Sequence, residues 1–202
     1  MKLGGFVIRP GMRVGLLGGS FDPAHEGHLH VSTEALKRFD LDAVVWIFSP
    51  GNPLKPNAPE PMAARMDRAR PLVRHPRIGL SDIEQRIETR YTVQTLAFLQ
   101  KRYPAAHFVW IMGADNLVGF HKWDQWRDIA SRVPLAVLAR PGQRLAAKTS
   151  RVARILRAAR LPAVEAPRMA FAQAPAWCFV NMPMVNISSS AIRAQQRDDR
   201  QS

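Results

Sequence analysis

The stretch Gly18–His28 reads GGSFDPAHEGH and follows the apolar run Val14–Leu17, which the pattern predicts to be a β-strand. A helical pattern from about Glu26 to Phe39 comes directly after it. Glycines carry no Cβ and let a backbone approach a ligand closely, and a helix N-terminus offers N–H groups and a positive dipole end to anions. A strand, a glycine turn and a helix start in this order therefore predict a phosphate-binding loop.

Two histidines belong to this stretch. His25 and His28 are three residues apart, so they share one face if both lie on the first helical turn. Each ring can donate a hydrogen bond to a phosphate oxygen without acting as a nucleophile. A zinc site is disfavoured because HEGH lacks the His-Glu-x-x-His spacing and no cysteine or acidic cluster lies nearby. The remaining alternative is a plain turn with solvated histidines.

The string GGSFDPAHEGH resembles the GG(T/S)FDPxHxGH signature of the adenylyltransferase and cytidylyltransferase superfamily. A second segment, ISSSAIR at Ile187–Arg193, resembles the superfamily's ISSTxIR motif. From Arg13 to Arg193 the chain is similar to the bacterial nicotinate-mononucleotide adenylyltransferases in particular. This resemblance implies transfer of an adenylyl group from ATP to nicotinate mononucleotide, giving deamido-NAD and pyrophosphate, with Mg²⁺ as the cofactor.

The resemblance also implies a set of site residues. His25 and His28 are the expected catalytic residues, in contact with the triphosphate. The expected nicotinate mononucleotide site consists of backbone N–H groups near Tyr91 and Thr92 and of Trp123 stacked on the pyridine ring. The expected ATP site lies in the two motifs and in loops after predicted strands: Gly18, Gly19, Ser20, Phe21, Lys55, Asp115, Arg140, Ser189, Ser190 and Arg193.

Several of these residues have a simpler structural interpretation. Lys55 and Arg140 could be solvated loop cations, and Trp123 could be an ordinary packing residue. Asp115 could be a helix N-cap, a role that is compatible with binding adenosine. Ser189 and its neighbours could cap a helix, whose free N–H groups and Arg193 would then bind the β- and γ-phosphates.

Strand-like and helix-like patterns alternate along the whole chain. The predicted strands are Val14–Leu17, Ala43–Phe48, Ile78–Leu80, His107–Met112, Pro134–Leu138 and Phe179–Asn181. After the first helix, the predicted helices are Pro61–Val73, Val93–Tyr103, Trp123–Ser131 and Lys148–Arg160. This alternation predicts the α/β class, with a Rossmann-like doubly wound parallel sheet and helices on both faces. Ligands of such sheets bind at the carboxyl ends of the strands, where the strand order reverses.

The composition predicts a sizeable globular core and a strong attraction for anions. The chain has 202 residues and a formal net charge of +13, from 29 Lys and Arg against 16 Asp and Glu. Much of the excess lies in Arg151–Arg160, which reads as a basic amphipathic helix with Val152, Ile155 and Leu156 inward and a solvated basic face. Nucleic acid is a conceivable partner, but no zinc-finger, RRM or basic–aromatic repeat supports it.

We expect a cytoplasmic protein without a membrane partner, since no apolar run approaches a membrane helix and the first ten residues lack a signal-peptide core. The single Cys178 is expected to be a buried thiol. The chain reads as one nucleotidyltransferase domain over 1–202, with an N-terminal extension at 1–11 and a frayed tail at 196–202. The proline-rich segment Ser49–Pro61 is expected to be a loop over the site.

Two further functions stay open at this stage. The same chemistry on nicotinamide mononucleotide or phosphopantetheine is the nearer one, and a basic nucleic-acid-binding module is the other. The sequence leaves the oligomeric state undetermined.

Overall fold

A computed structural model of the chain describes residues 2–51, 59–139 and 144–183. Within these residues, seven strands form one parallel sheet in the order β3-β2-β1-β4-β5-β7-β6. The strands are β1 (Arg13–Gly19), β2 (Ala43–Phe48), β3 (Ile78–Ser81), β4 (His107–Gly113), β5 (Leu135–Ala139), β6 (Arg160–Leu161) and β7 (Trp177–Asn181). The predicted doubly wound α/β fold is confirmed.

Helices connect the strands. They are α1 (Glu26–Arg38), α2 (Met62–Ala69), α3 (Ile83–Arg86), α4 (Thr92–Arg102), α5 (Ala114–Gly119), α6 (Trp126–Arg132), α7 (Arg144–Lys148) and α8 (Arg151–Ile155). In the described part of the chain, three 3₁₀ segments cover Phe120–Lys122, Arg157–Ala159 and Ala163–Phe171. No helix of the described residues is long and apolar enough to cross a membrane.

The strand order reverses between β1 and β4. β2 and β3 lie on one side of β1 in chain order, and β4 pairs with the opposite edge of β1. Loops that leave two such neighbouring strands diverge to opposite faces, so a crevice opens at their carboxyl ends. The glycine turn after β1 and the start of α5 after β4 therefore border the same crevice.

Apolar residues pack on both faces of the sheet. β2 and β5 are buried along their whole length, as strands covered by helices on both faces must be. Alternate residues of β1 point to opposite layers: Leu16 belongs to one core cluster and Leu17 to the other. Cys178 is fully buried in the second cluster, as expected, and burial raises the pKa of its thiol to about 11.

The segment before β1 packs against the sheet. Leu3 is fully buried, and the N–H and carbonyl groups of Leu3 and Phe6 bond to each other in a tight turn. A Cβ on Gly79 would lie 1.9 Å from the carbonyl oxygen of Gly4, so only a glycine lets this turn cross β3. The N-terminal residues thus contribute to the core. The tail at 196–202 lies outside the described residues.

Three sequence predictions about helices are wrong. The predicted helix Lys148–Arg160 is split, because Ser150 caps a new helix by accepting a hydrogen bond from the Ala153 N–H at 3.2 Å. Within it Val152 is buried as predicted, but Ile155 is 45% exposed. The helix predicted from Trp123 begins at Trp126, because Gln125 adopts a left-handed φ of 48°.

Other elements were not predicted at all. α3, α5, β6 and the 3₁₀ run Ala163–Phe171 are short or lack a 3.6-residue apolar repeat, so no periodic signal marks them.

Candidate active site

The phosphate-binding loop predicted from the sequence lies at the carboxyl end of β1. Gly18 and Gly19 are the last residues of the strand, and the Ser49 N–H at the end of β2 donates to the Gly19 carbonyl. A Cβ on Gly18 would come within 2.6 Å of the Trp110 ring, and one on Gly19 within 3.3 Å of the Phe21 ring. Both glycines therefore have a packing reason as well as the predicted role in close ligand approach.

The buried ring of Phe21 anchors this loop to the core. Its backbone has a left-handed φ of 47°, which is uncommon for a residue with a bulky side chain. The ring is 2% exposed and stacks on Trp46 with centroids 4.8 Å apart. The side chain of Phe21 thus belongs to the core, and only the backbone of this predicted ATP-binding residue faces the loop.

His25 and His28 form a reciprocal cap at the start of α1. The Nδ1 atom of His25 accepts from the Gly27 N–H at 3.1 Å, and the Nδ1 atom of His28 accepts from the His25 N–H at 3.2 Å. The two rings lie 3.9 Å apart, so the prediction that they share a face is confirmed. Since Nδ1 accepts in both rings, the neutral tautomer carries its proton on Nε2.

This cap orients two hydrogen-bond donors. Phe21 packs edge-on to His28 at 4.9 Å, which fixes the ring plane. The Nε2 donors of both histidines then stand beside the helix N-terminus, where the backbone dipole is positive. Such an arrangement can bind the oxygens of a phosphate chain and stabilise charge that develops on them.

A buried arginine that the sequence analysis missed holds the loop. Arg65 is 1% exposed and donates through its guanidinium to the backbone carbonyls of Glu60, at 2.6 Å, of Ser49, at 3.0 Å, and of Ser20. One side chain therefore joins the phosphate loop, the end of β2 and the entry to α2. A signal existed in the sequence: Arg65 lies in the helical stripe formed by Met62 and Ala69, where an apolar residue is expected.

The start of α4 supplies N–H groups without an acceptor. Tyr91 is the N-cap, and its own N–H donates to the Thr89 Oγ1 at 3.1 Å. Among the described residues, the N–H groups of Thr92 and Val93 have no hydrogen-bond acceptor, as is usual for a first helical turn. A carboxylate placed here would complete the cap.

Trp123 packs on the same face of the sheet as the start of α4. It is half-buried and packs edge-on to Trp110, with centroids 6.2 Å apart, and to Phe120, at 5.3 Å. Trp110 in turn contacts Gly18, and both Tyr91 and Trp123 pack against the same core cluster. The predicted pyridine-site residues therefore share one face of the sheet beside β1.

Glu84, in α3, links Ser49 at the end of β2 to helix α4. It is buried, accepts a hydrogen bond from the Thr95 Oγ1 at 3.0 Å and is also hydrogen-bonded to Ser49. Burial raises the pKa of Glu84 to about 7, and the bonds with Thr95 and Ser49 act in the opposite direction. This residue was not predicted, since nothing in its local pattern marks a buried carboxyl group.

The remaining predicted residues divide into two groups. Asp115 lies exposed in the first turn of α5 after β4. Gly113 is the N-cap of this helix, so the alternative interpretation of Asp115 as an N-cap does not hold, and its proposed contact with adenosine stays a prediction. Lys55, Arg140, Ser189, Ser190 and Arg193 lie outside the described residues.

The donor set for a metal ion is small. No group of three or more His, Cys, Asp or Glu side chains that could hold a metal ion lies within residues 2–51, 59–139 and 144–183. Exposed carboxylates such as Asp115 suit a hard cation that is also bound by phosphate oxygens. The residues present thus fit a Mg²⁺ ion that enters with a phosphate ligand.

Comparison with known proteins gives a consistent result. The model of the cytidylyltransferase-like family matches residues 16–195. A probable nicotinate-nucleotide adenylyltransferase of Cereibacter sphaeroides is 58% identical over 186 residues, which cover 92% of this chain and 98% of the relative. Its counterpart in Roseobacter denitrificans is 56% identical over 195 residues, covering 96% and 98%.

Solved structures agree on the fold. A nicotinic acid mononucleotide adenylyltransferase of Plasmodium falciparum, complexed with NaAD, superposes with a TM-score of 0.68 at 17% identity. The alignment covers 91% of this chain and 83% of that one. The same enzyme complexed with APC gives a TM-score of 0.66 at 16% identity, with the same coverage.

Proposed function

This chain belongs to the cytidylyltransferase-like family, and we propose that it transfers the adenylyl group of ATP to nicotinate mononucleotide, with release of pyrophosphate. The observation that carries the proposal is the histidine pair at the start of α1. The pair lies at the reversal point of the sheet with its Nδ1 atoms committed to the backbone.

The reaction is a displacement at the α-phosphorus. An oxygen of the mononucleotide phosphate forms a bond to this atom, and the bond to the oxygen that bridges to the β-phosphate breaks. Pyrophosphate leaves with the electron pair. The attacking phosphate is already anionic at neutral pH, so catalysis needs alignment of the two substrates and stabilisation of charge rather than a general base.

His25 and His28 suit this chemistry. Their Nε2 donors would bind the oxygens around the α-phosphorus, where negative charge shifts during the displacement. Gly18, Gly19 and Ser20 would bring the backbone against the triphosphate. By the same logic Lys55, Arg140, Ser189, Ser190 and Arg193 are proposed to bind ATP, together with the backbone of Phe21.

The pyridine site is proposed at the start of α4 and at Trp123, which pack on one face of the sheet. The N–H groups of the first turn of α4 that have no acceptor among the described residues would bind the nicotinate carboxylate, and Trp123 would stack on the cationic ring. Because the Tyr91 N–H donates to the Thr89 Oγ1, the donors proposed for the carboxylate are the N–H groups of Thr92 and Val93.

Mg²⁺ is proposed to enter with the triphosphate. Bound there, it would neutralise part of the phosphate charge. On the adenosine side, Asp115 is proposed to contact the nucleotide from the start of α5. The helix starts and the histidine donors then hold the remaining phosphate oxygens.

Pyrophosphate release tests the proposal. Purified protein, ATP and Mg²⁺ are assayed with nicotinate mononucleotide, nicotinamide mononucleotide or phosphopantetheine as the acceptor. We expect the highest kcat/KM with nicotinate mononucleotide. Folded protein that releases no pyrophosphate above a protein-free control would refute the assignment. A preference for another acceptor would show that the proposed acceptor is wrong and would leave the proposed adenylyl transfer standing.

A further inference from the structure

A basic hollow lies at the edge of the sheet, away from the crevice described above. Its volume is about 420 Å³, and its lining residues are Lys148, Ala153, Arg154, Arg157, Arg160 and Trp177. Trp177 is the first residue of β7 and pairs with Leu135, the first residue of β5. The hollow is therefore at the amino ends of these strands, whereas the phosphate loop lies at the carboxyl end of β1.

Four cations converge on this hollow without a counter-charge. None of its lining residues is acidic, and within the described part of the chain none of the four cations forms an ion pair. Arg160 lies over the Trp177 ring at 5.3 Å, and Lys148 over the Phe179 ring at 5.6 Å. Aromatic faces thus hold two of the charges in place without neutralising them.

The break in the predicted helix brings these cations together. On one continuous helix, Arg154 and Arg160 would lie about 120° apart around the helix axis and would point to different sides. Instead α8 ends at Ile155, a 3₁₀ turn follows, and Arg160 enters β6 beside Trp177. The Trp177 indole N–H donates to the Leu156 carbonyl at 2.8 Å and fixes this turn to the sheet. The prediction of one continuous helix is therefore wrong for this segment, whereas Arg154, Arg157 and Arg160 are exposed, in agreement with the predicted solvated basic face.

We propose that this hollow binds a condensed phosphate, either inorganic or as the phosphate chain of a nucleotide. Guanidinium groups match phosphate oxygens with paired donors, and the mutual repulsion of four cations favours a multivalent anion. The concave shape suits a compact anion rather than a strand of nucleic acid, which needs an extended track. Trp177 is buried and offers no open ring face to a base. The proposal is independent of the proposed function.

Calorimetric titration of the full chain with inorganic tripolyphosphate tests the site. A His25→Asn/His28→Asn variant should weaken binding in the crevice, so the contribution of the hollow is measured in this background by comparing variants of its arginines. In that background, Arg154→Gln/Arg157→Gln should weaken tripolyphosphate binding at least tenfold. Arg154→Lys/Arg157→Lys, which keeps the charges, should retain more of the affinity. Circular dichroism verifies that each variant is folded, and Arg157→Gln alone replaces the pair if the double variant does not fold.

The matched control removes the same charge elsewhere. Arg74 and Lys101 are exposed and lie outside the ion pairs of the described residues, so Arg74→Gln/Lys101→Gln should change the affinity less than twofold. An equal loss in this control, or no loss in Arg154→Gln/Arg157→Gln, overturns the proposal. So does a result in which only a single-stranded oligonucleotide, and not tripolyphosphate, depends on the two arginines. A parallel titration with ATP then identifies the source: equal affinity indicates a nucleotide, and much weaker affinity indicates inorganic phosphate.

Discussion

At the scale of single residues, the two histidines combine an observed structural role with the proposed chemical one. Nδ1 of each ring accepts a backbone N–H at the start of α1, which leaves Nε2 as the donor proposed to bind the substrate phosphates. The sequence predicted the shared face but not the reciprocal cap. Because each ring carries both the cap and the proposed donor, substitution by Ala would remove the two together. Variants that keep one of them are more informative.

His28→Asn and His28→Gln make this separation. The Asn oxygen can take the place of Nδ1 and keep the bond from the His25 N–H, while the Gln amide reaches the position of Nε2. We expect His28→Asn to lower kcat by a factor on the order of 10² with a melting temperature near that of the parent, since one preorganised donor is lost. His28→Gln should retain more of the activity and lose part of the cap, which is worth about 0.5–2 kcal/mol. A kcat of His28→Asn near that of the parent would show that Nε2 of His28 has no catalytic role.

Arg65 is expected to stabilise the loop after β1. Its three backbone contacts need a planar fork, which a lysine ammonium cannot supply. Arg65→Lys leaves buried carbonyl groups without charged donors, so the free energy of unfolding should fall by roughly 2–4 kcal/mol. Denaturant unfolding measures this change. Arg68→Lys, on the same helix but half-exposed, is the control and should change stability by less than about 1 kcal/mol.

Glu84 makes stability depend on pH in an unusual direction. Because the pKa of Glu84 rises from 4.5 to about 7 on folding, the folded state binds more protons than the unfolded state between these values. The stabilising contribution of Glu84 to the free energy of unfolding is therefore fully present below pH 4.5 and is lost as the pH rises through about 7. Relative to Glu84→Gln, which stays neutral, the wild type should lose on the order of 3 kcal/mol across this window. A difference that does not vary with pH would contradict the assignment, and Glu88→Gln at an exposed position is the control.

At the scale of secondary-structure elements, long periodic segments were predictable and short ones were not. β2 was predicted with its observed bounds, since six consecutive apolar residues specify a strand buried on both faces. The helix predicted over 148–160 is wrong because its apolar spacing matches a helix, while the Ser150 cap and the pairing of Arg160 with Trp177 determine its structure. Neither a competing cap nor a tertiary strand contact is visible in local periodicity.

The start of α4 is the element expected to set substrate specificity. Thr92→Pro removes one N–H while keeping the helix, because proline is tolerated at the first helical position and Tyr91 is already extended, with φ −110° and ψ 121°. Nicotinate mononucleotide should be preferred over the amide by roughly tenfold to a hundredfold in kcat/KM in the parent, and this ratio should fall in Thr92→Pro. Thr92→Ala keeps the N–H and should leave the ratio unchanged. An unaltered ratio in Thr92→Pro would place the carboxylate elsewhere.

At the scale of the whole molecule, the strand order determines where the chemistry can occur. The reversal between β1 and β4 opens one crevice, and the phosphate loop, the histidine cap and the start of α5 all border it. The sequence predicted this location because the glycine motif follows the first strand. It could not predict which loops Arg65 and Glu84 stabilise. The position of Arg65 in the apolar stripe of α2 marks it as unusual, but the backbone groups that it bonds to are distant in sequence, and nothing in the local pattern marks Glu84 as buried.

The most direct test of the central claim follows the α-phosphorus of ATP. ATP labelled at this atom is incubated with the protein, Mg²⁺ and nicotinate mononucleotide, and the products are separated. We expect the label to appear in the dinucleotide deamido-NAD, with one unlabelled pyrophosphate released for each dinucleotide formed. Label recovered in AMP, or no transfer of label to the mononucleotide by folded protein, would contradict the account.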